Sequence, residues 1–141
     1  MTTAWNDLDG APRAEVTTMR GSIEQRKSDI LRLLREDYYG AENIVKARIL
    51  LERIGLLDPN DPRSARGNTG SSGTTQPMFV AFAVAVREWR REGSAIGSQG
   101  GSKGGYWWLR NEEERAECIA TLQSKVDQEL ETIAALRRVV L

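Results

Sequence analysis

Residues 86–109 read VREWRREGSAIGSQGGSKGGYWWL, and this stretch decides the fold of the chain. A charged helix end comes first and is predicted to stop at Gly93, which suits the left-handed backbone found just past a helix. A short apolar segment follows at residues 94–98. The glycine- and serine-rich tip at residues 99–105 allows the positive φ angles of a hairpin turn, and it leads into an aromatic segment. The stretch therefore predicts a helix that runs into a two-stranded hairpin.

A helix that feeds directly into a hairpin is the second half of a winged helix-turn-helix. The pattern LR-x-x-G-x-x-I-x-S, followed by GGY and a leucine, resembles the winged-helix domain of the biotin-repressor type and small helix-turn-helix proteins of bacteriophages. The resemblance is close over the hairpin region and weaker over residues 22–114. It implies a mainly α fold with a small β-hairpin wing, followed by a long C-terminal helix. The matching residues are Trp89 (where leucine is usual), Arg90, Gly93, Ile96, Ser98, Gly104, Gly105, Tyr106 and Leu109.

The composition fits one domain with a modest core. The chain has 141 residues, of which 40% are hydrophobic, and this length is typical of a single domain. Its 20 basic residues balance 20 acidic ones, so no overall field attracts nucleic acid, which counts against a strong nonspecific DNA binder. Residues 57–111 are more favourable, because seven basic residues there outnumber four acidic ones.

Missing residue types exclude several kinds of chemistry. The chain has no histidine and a single cysteine, Cys118. Histidine-dependent triads, nearly all zinc sites, internal disulfides and thiolate clusters are therefore excluded. No segment combines a nucleophile, a base and an orienting group, so we expect a non-enzyme without a metal or other cofactor. We also expect a cytoplasmic protein, because no apolar run could span a membrane and the N-terminus lacks a signal-peptide pattern.

The region before the hairpin predicts a tail and two scaffold helices. Residues 1–21 are polar and lack sustained periodicity, which indicates a flexible tail. Ser22 fits the start of a capping box and of the first helix. A second helix is predicted over residues 44–54, with Asn43 as its cap and Gly55 at its end.

Residues 58–76 are predicted to be a flexible insertion within a winged-helix domain that spans residues 22–110. The segment is rich in Gly, Ser and Thr, and it is much longer than the usual turn of this motif. Its glycines do not match a phosphate-binding loop, which argues against nucleotide binding. Two alternatives stay open: a loop that contacts DNA or a partner through Arg63 and Arg66, or a neutral insertion.

The third helix is predicted to begin near Pro77 and to run to about Glu92. Its inner face is apolar: Phe82, Val86 and Trp89, with Met78 or Phe79. Its outer face should then carry Val80, Val84, Arg87 and Arg91. A recognition helix reads bases with polar side chains near its N-terminal end, and valines occupy that end here. This departure argues against base-specific reading and suggests burial against another helix or chain.

The hairpin is predicted to point Ile96 and Leu109 inward, while Tyr106, Trp107 and Trp108 alternate between its faces. Adjacent tryptophans cannot both enter the core, so one should cover a neighbouring helix or a partner. The tip has two interpretations, a phosphate-contacting surface or a solvated turn. Its polar residues are Ser98, Gln99, Ser102 and Lys103.

Residues 111–141 predict one long helix whose apolar stripe either folds back on the first helix or pairs with a second subunit, and we favour pairing. Asn111 should cap it, and three following glutamates complement its dipole. β-branched residues recur every seven positions, with leucines between them, a pattern that favours a parallel two-stranded coiled coil and a homodimer or higher homo-oligomer. Glu129 interrupts the leucine series. The predicted oligomerisation residues are Ile119, Leu122, Val126, Leu130, Ile133, Leu136 and Val140.

Two functions from different classes follow. The first is a winged-helix protein of a phage or other mobile element that binds double-stranded DNA in transcription control or replication. The second is a protein-interaction or assembly module that keeps the scaffold but does not read bases. The predicted DNA-binding residues are Thr75, Gln76, Arg87, Arg90, Arg91, Ser98, Gln99, Ser102, Lys103 and Tyr106.

Overall fold

A computed structural model describes residues 13–60 and 77–141 of the chain. The described parts are mainly helical, with one small two-stranded antiparallel sheet, which confirms the coarse fold class. Within them, no helix has both the length and the apolar character needed to cross a membrane. The elements are α1 (Arg13–Gln25), α2 (Lys27–Asp37), a 3₁₀ turn (Ala41–Asn43), α3 (Ala47–Ile54), α4 (Pro77–Arg91), β1 (Ile96–Gln99), β2 (Gly105–Trp108) and α5 (Glu112–Arg137).

The first helix begins earlier than predicted. α1 starts at Arg13, so the predicted tail at residues 1–21 and the capping box at Ser22 were wrong for residues 13–22. Val16 and Ile23 are buried and Met19 packs beside them, because α1 lies along α4. These three apolar residues are spaced by three and four positions, as one helix face requires. Residues 1–12 lie outside the described residues, so the prediction of a tail stays untested there.

α4 is the central helix, and its predicted outer face was wrong at Val80 and Val84, while Arg87 and Arg91 are exposed as predicted. The expected burial of the valines against another helix is confirmed. Val80 and Val84 retain only 5% and 7% of their exposure, because α4 packs against α1 as well as α3. The predicted inner face is confirmed, with Phe82 and Trp89 almost fully buried. The helix ends at Arg91, close to the predicted end, and Gly93 just beyond it has the expected left-handed backbone with a φ of 109°.

The second strand of the hairpin has neighbours on both sides. Ile96 pairs with Trp108 in the antiparallel hairpin, and Ile96 is buried as predicted. On its other edge, the Tyr106 N–H donates to the Val45 carbonyl at 2.7 Å and the Val45 N–H donates to the Tyr106 carbonyl at 2.8 Å. This pairing holds residue 45 extended, so α3 begins at Ala47 and not at residue 44 with an Asn43 cap. α3 ends as predicted at Gly55.

The two faces of the hairpin pack on different elements. Tyr106 and Trp108 lie against the main core, and the Tyr106 ring meets Phe82 edge-on with centroids 5.0 Å apart. Trp107 points the opposite way and is buried beside Glu114 at the start of α5. Trp108 stays half-buried, so the expectation that the adjacent tryptophans divide between two environments is confirmed. Leu109, predicted to point inward, is also only half-buried.

Candidate nucleic-acid interface

A basic cleft lies between the hairpin, the start of α3 and the middle of α5. Its volume is about 270 Å³, and its floor is hairpin backbone at glycines 100, 101, 104 and 105. Lys46 and Lys125 supply its charge, and no acidic residue is among the described residues that line it. Ser98, Gln99 and Tyr106 complete the wall. A glycine floor lets a ligand approach the backbone closely, and two ammonium groups favour an anion.

Lys46 reaches the hairpin because of the fold. It immediately precedes α3, and its Nζ donates to the Ser102 carbonyl at the hairpin tip. The pairing of Val45 with Tyr106 brings these two segments side by side. Sequence reasoning did not select Lys46 or Lys125 as site residues. A lysine directly before a helix was the only local signal for Lys46, and such a residue is common on solvated surfaces.

Arg90 and Ser98 are engaged with each other. Arg90 Nε donates to the Ile96 carbonyl at 2.7 Å, and Arg90 Nη2 donates to Ser98 Oγ at the same distance. The guanidinium is half-buried and ties the end of α4 to β1. Both residues were predicted to contact DNA, and this geometry gives them a role in fixing the hairpin on the helix.

Tyr106 forms the inner wall of the cleft. Burial raises the pKa of its hydroxyl above the ordinary value, although the positive charges of Arg90 and Arg87 act in the opposite direction. The phenol therefore stays protonated and neutral at physiological pH.

The other predicted DNA contacts fall into three groups. Arg87 and Arg91 are exposed on α4, beyond its buried N-terminal half. Gln99, Ser102 and Lys103 are exposed on the hairpin. Thr75 and Gln76, like Arg63, Arg66 and most of the predicted insertion at residues 58–76, lie outside the described residues. The structure thus brings Ser98, Gln99 and Tyr106 together in the lining of the cleft.

Glu114 fixes α5 to the rest of the protein. Its carboxylate accepts hydrogen bonds from the Ala41 N–H at 2.9 Å, the Arg110 N–H at 3.0 Å and the Trp107 indole at 3.2 Å. Arg110 also forms an ion pair with it. The Glu114 N–H in turn donates to the Asn111 side chain, which confirms Asn111 as the helix cap. Helix α5 therefore starts in a defined direction.

Glu114 should make the stability of the protein depend on acid pH. Burial by itself raises the pKa of the carboxyl. The hydrogen bonds from the Ala41 and Arg110 amides and the Trp107 indole, together with the Arg110 charge, outweigh this effect and hold the pKa below its ordinary value of 4.5. A carboxylate whose pKa is depressed by folding stabilises the protein above its unfolded pKa and loses that contribution as pH falls through the folded pKa. We expect the free energy of unfolding to decline below about pH 4.5 in the wild type.

The matched variant is Glu114→Gln, which keeps the size of the side chain but cannot titrate. It should be less stable than the wild type at pH 7. Between pH 5 and pH 3 it should lose less stability than the wild type, because it lacks the one carboxylate whose pKa folding depresses. Urea denaturation at several pH values measures both differences. Equal slopes for the two proteins over this range would contradict the assignment. Exposed Glu113→Gln is the control, since it should leave the profile unchanged.

The predicted oligomerisation residues are exposed on α5. Ile119, Leu122, Val126, Leu130 and Ile133 retain 57%, 43%, 51%, 58% and 43% of their exposure. The stripe is therefore not folded back on another described element. The helix ends at Arg137, so Val140 lies beyond it and the prediction of a helix to residue 141 was wrong. Leu136 is exposed as well.

Neither a search for metal-binding clusters nor comparisons with known proteins assign a function to the chain. In residues 13–60 and 77–141, no group of three or more Cys, Asp or Glu side chains is arranged to hold a metal ion. No family model matches the chain, and neither a search of curated proteins nor one of solved structures finds a significant match.

Proposed function

We propose that the chain is a winged helix-turn-helix protein that binds double-stranded DNA through its phosphate backbone. The observation that carries the proposal is the basic glycine-floored cleft between the hairpin and α3, lined by Lys46 and Lys125. Phosphate contacts of this kind supply affinity and orientation. Exposed Lys103 at the tip and Arg87 on α4 extend the positive surface beyond the cleft.

The order of elements supports the winged-helix part of the proposal. α3, α4 and the hairpin follow one another along the chain, and the residue before α3 pairs with the second hairpin strand. This pairing places a short third chain segment beside the tip end of β2, while Trp108 at the base of the hairpin pairs with Tyr39. A hairpin held along its outer edge in this way supports the wing of the proposed fold.

The proposed binding is weakly selective for base sequence. A helix that reads bases presents polar side chains to the major groove, whereas Val80 and Val84 in the first half of α4 are buried. In the second half of this helix, Arg87 and Arg91 are exposed, and their side chains suit contacts with phosphates. A role in transcription control or replication of a phage or other mobile element is proposed from the family resemblance alone.

A second candidate function is a protein-interaction module on the same scaffold. The apolar and buried first half of α4 favours it, because a helix that reads DNA bases needs exposed polar side chains there. Salt dependence separates the two functions. Binding through phosphates releases counterions and weakens steeply as salt rises, whereas an apolar protein interface does not.

Charge reversal at one lysine in the cleft and one at the hairpin tip tests the DNA proposal. We expect Lys46→Glu and Lys103→Glu each to weaken binding to duplex DNA. Each change should also make the fall of log K with log salt shallower, by about 0.9 for each phosphate that the protein no longer neutralises. Fluorescence anisotropy with a labelled duplex, titrated at several salt concentrations, measures both quantities. Random and genomic sequences should respond alike, because these lysines do not contact bases.

The matched control is Arg32→Glu. Arg32 is exposed on α2, does not line the cleft and carries the same charge. Its reversal should leave affinity close to that of the wild type. Equal losses of affinity for Arg32→Glu and Lys46→Glu would mean that only the net charge of the protein matters. Absence of duplex binding by the wild type at about 50 mM salt would refute the DNA proposal, because phosphate-mediated binding is strong at low salt.

A further inference from the structure

The apolar stripe of α5 has a symmetry that points to its occupant. Its residues are spaced by three, four, four and three positions: Ile119, Leu122, Val126, Leu130 and Ile133. At 3.6 residues per turn, this spacing keeps all five on one side of a straight helix. The pattern is the same when read from either end, with Val126 at its centre. An antiparallel copy of the helix therefore presents the same stripe in the same register.

We propose that α5 binds α5 of a second copy of this chain in an antiparallel pair whose two-fold axis passes through Val126. Ile119 then lies opposite Ile133 of the second copy, Leu122 opposite its Leu130, and Val126 opposite its own equivalent. This contact is isologous, so it closes at two subunits. The proposal is independent of DNA binding, and either can fail without the other.

Charge along the helix favours the antiparallel direction. The exposed acids near the start of α5 are Glu112, Glu113 and Glu117, and they outnumber Arg115. The end of the helix carries Arg137 and Arg138. Antiparallel pairing brings this basic end beside the acidic start of the second copy, where position 137 lies opposite Arg115 and has Glu112 and Glu117 within one helical turn of it. It also opposes the two helix dipoles, which is the favourable arrangement for neighbouring helices.

The parallel coiled coil predicted from the seven-residue repeat is less favourable. It would bring like-charged helix ends together and would set Glu129 at a core position opposite its own equivalent. Its fourth β-branched position is Val140, which lies outside α5. In the antiparallel register, Glu129 faces neither the axis nor its own equivalent, and Leu136 lies outside the central stripe.

The body of the protein leaves room for the second helix. α5 contacts the body through buried Glu114 and Cys118, passes beside β1 and places Lys125 at the cleft, whereas Arg115 and Ile119 are exposed on another side of the helix. The second copy can therefore run past the start of α5 without displacing the contacts of Glu114. The paired segments extend from Arg115 to Arg137, about 33 Å at 1.5 Å per residue.

Oligomeric state and one axis variant test whether the stripe is the interface. Sedimentation equilibrium on the full chain at about 100 μM, enough to fill an interface of micromolar Kd, should give a dimer. Val126→Glu places two carboxylates face to face at the axis and should give a monomer. Gln128→Glu adds the same charge on the opposite side of the helix and should leave the dimer intact. A monomeric wild type, or a dimeric Val126→Glu protein with unchanged helical circular dichroism, would overturn the proposal.

Disulfide trapping tests the direction. In a Cys118→Ser background, Arg115→Cys and Arg137→Cys are made as separate single variants and oxidised alone and as a mixture. Antiparallel pairing predicts cross-linked dimers of one variant with the other in the mixture, and few when either is oxidised alone. A parallel pair would instead link each variant to itself, since its position 115 meets position 115. That outcome, or an absence of links in the mixture, would overturn the antiparallel register.

Discussion

Replacing Trp89 with alanine is expected to lower the free energy of unfolding by about 3–5 kcal/mol, the range found for large buried aromatic residues. Trp89 is 1% exposed, and its ring meets Phe82 edge-on at a centroid distance of 6.3 Å. Its indole N–H donates to Glu24 Oε2 at 3.1 Å, so the side chain also joins α4 to α1. Alanine would leave a cavity at the centre of the domain and would remove a hydrogen bond from the carboxylate beside it.

Two variants separate the parts of this effect. Trp89→Phe keeps most of the apolar volume but loses the hydrogen bond to Glu24, so its loss should be smaller than that of alanine. Arg91→Ala changes an exposed residue two positions along the same helix and should alter stability by no more than about 0.5 kcal/mol. Urea denaturation followed by circular dichroism gives all three values. A loss below about 1 kcal/mol for Trp89→Ala would show that the site is not core, and it would remove the main packing support for aligning Trp89 with the leucine of the winged-helix pattern.

The sequence predicted well those features that depend on residues adjacent along the chain. The end of α4 follows from Gly93, the hairpin from its glycine-rich tip, and the start of α5 from Asn111 and the glutamates after it. Each of these features is decided within a few positions of the chain, by φ angle or by a capping hydrogen bond. The sequence therefore predicted them without knowledge of the fold.

Features that depend on distant neighbours were predicted less well. Val16, Met19 and Ile23 form a sparse stripe among polar residues, and only the presence of α4 makes their burial favourable. Val80 and Val84 looked like an outer face because periodicity identifies one buried stripe and does not show how many elements surround a helix. A helix that is apolar on several sides is buried on several sides.

The candidate site shows the same division. The sequence identified the polar hairpin residues that line or flank the cleft, since they follow one another along the chain. It assigned Arg90 to DNA, although the guanidinium donates to the Ile96 carbonyl of β1. That contact depends on where β1 lies in the fold, which the local sequence does not specify. Lys46 joins the site through its bond to the Ser102 carbonyl, a contact across 56 positions of the chain. No local pattern encodes that contact.

Gly105→Ala is the second change expected to have a large effect. A Cβ atom on Gly105 would lie 2.2 Å from the Val45 carbonyl oxygen and 2.7 Å from its carbon, and both are backbone atoms that cannot rotate away. The added methyl must therefore push the residue 45 segment from β2. We expect a loss of stability in the upper part of the range for overpacking, about 3 kcal/mol, since the paired hydrogen bonds between Val45 and Tyr106 are disturbed as well.

Gly100→Ala is the matched control, because a Cβ atom at that hairpin position meets no atom within 4 Å. It should leave the free energy of unfolding near that of the wild type, whereas Gly105→Ala should lower it and speed hydrogen exchange at the Val45 and Tyr106 amides. The same displacement would carry Lys46 away from the hairpin tip, so duplex DNA affinity should fall in Gly105→Ala under conditions where the variant is still folded. Unchanged stability and exchange in Gly105→Ala would mean that Val45 does not pair with β2. In that case the outer edge of β2 would lack its partner segment near the hairpin tip, and the winged-helix proposal would lose that structural support even if the protein bound DNA.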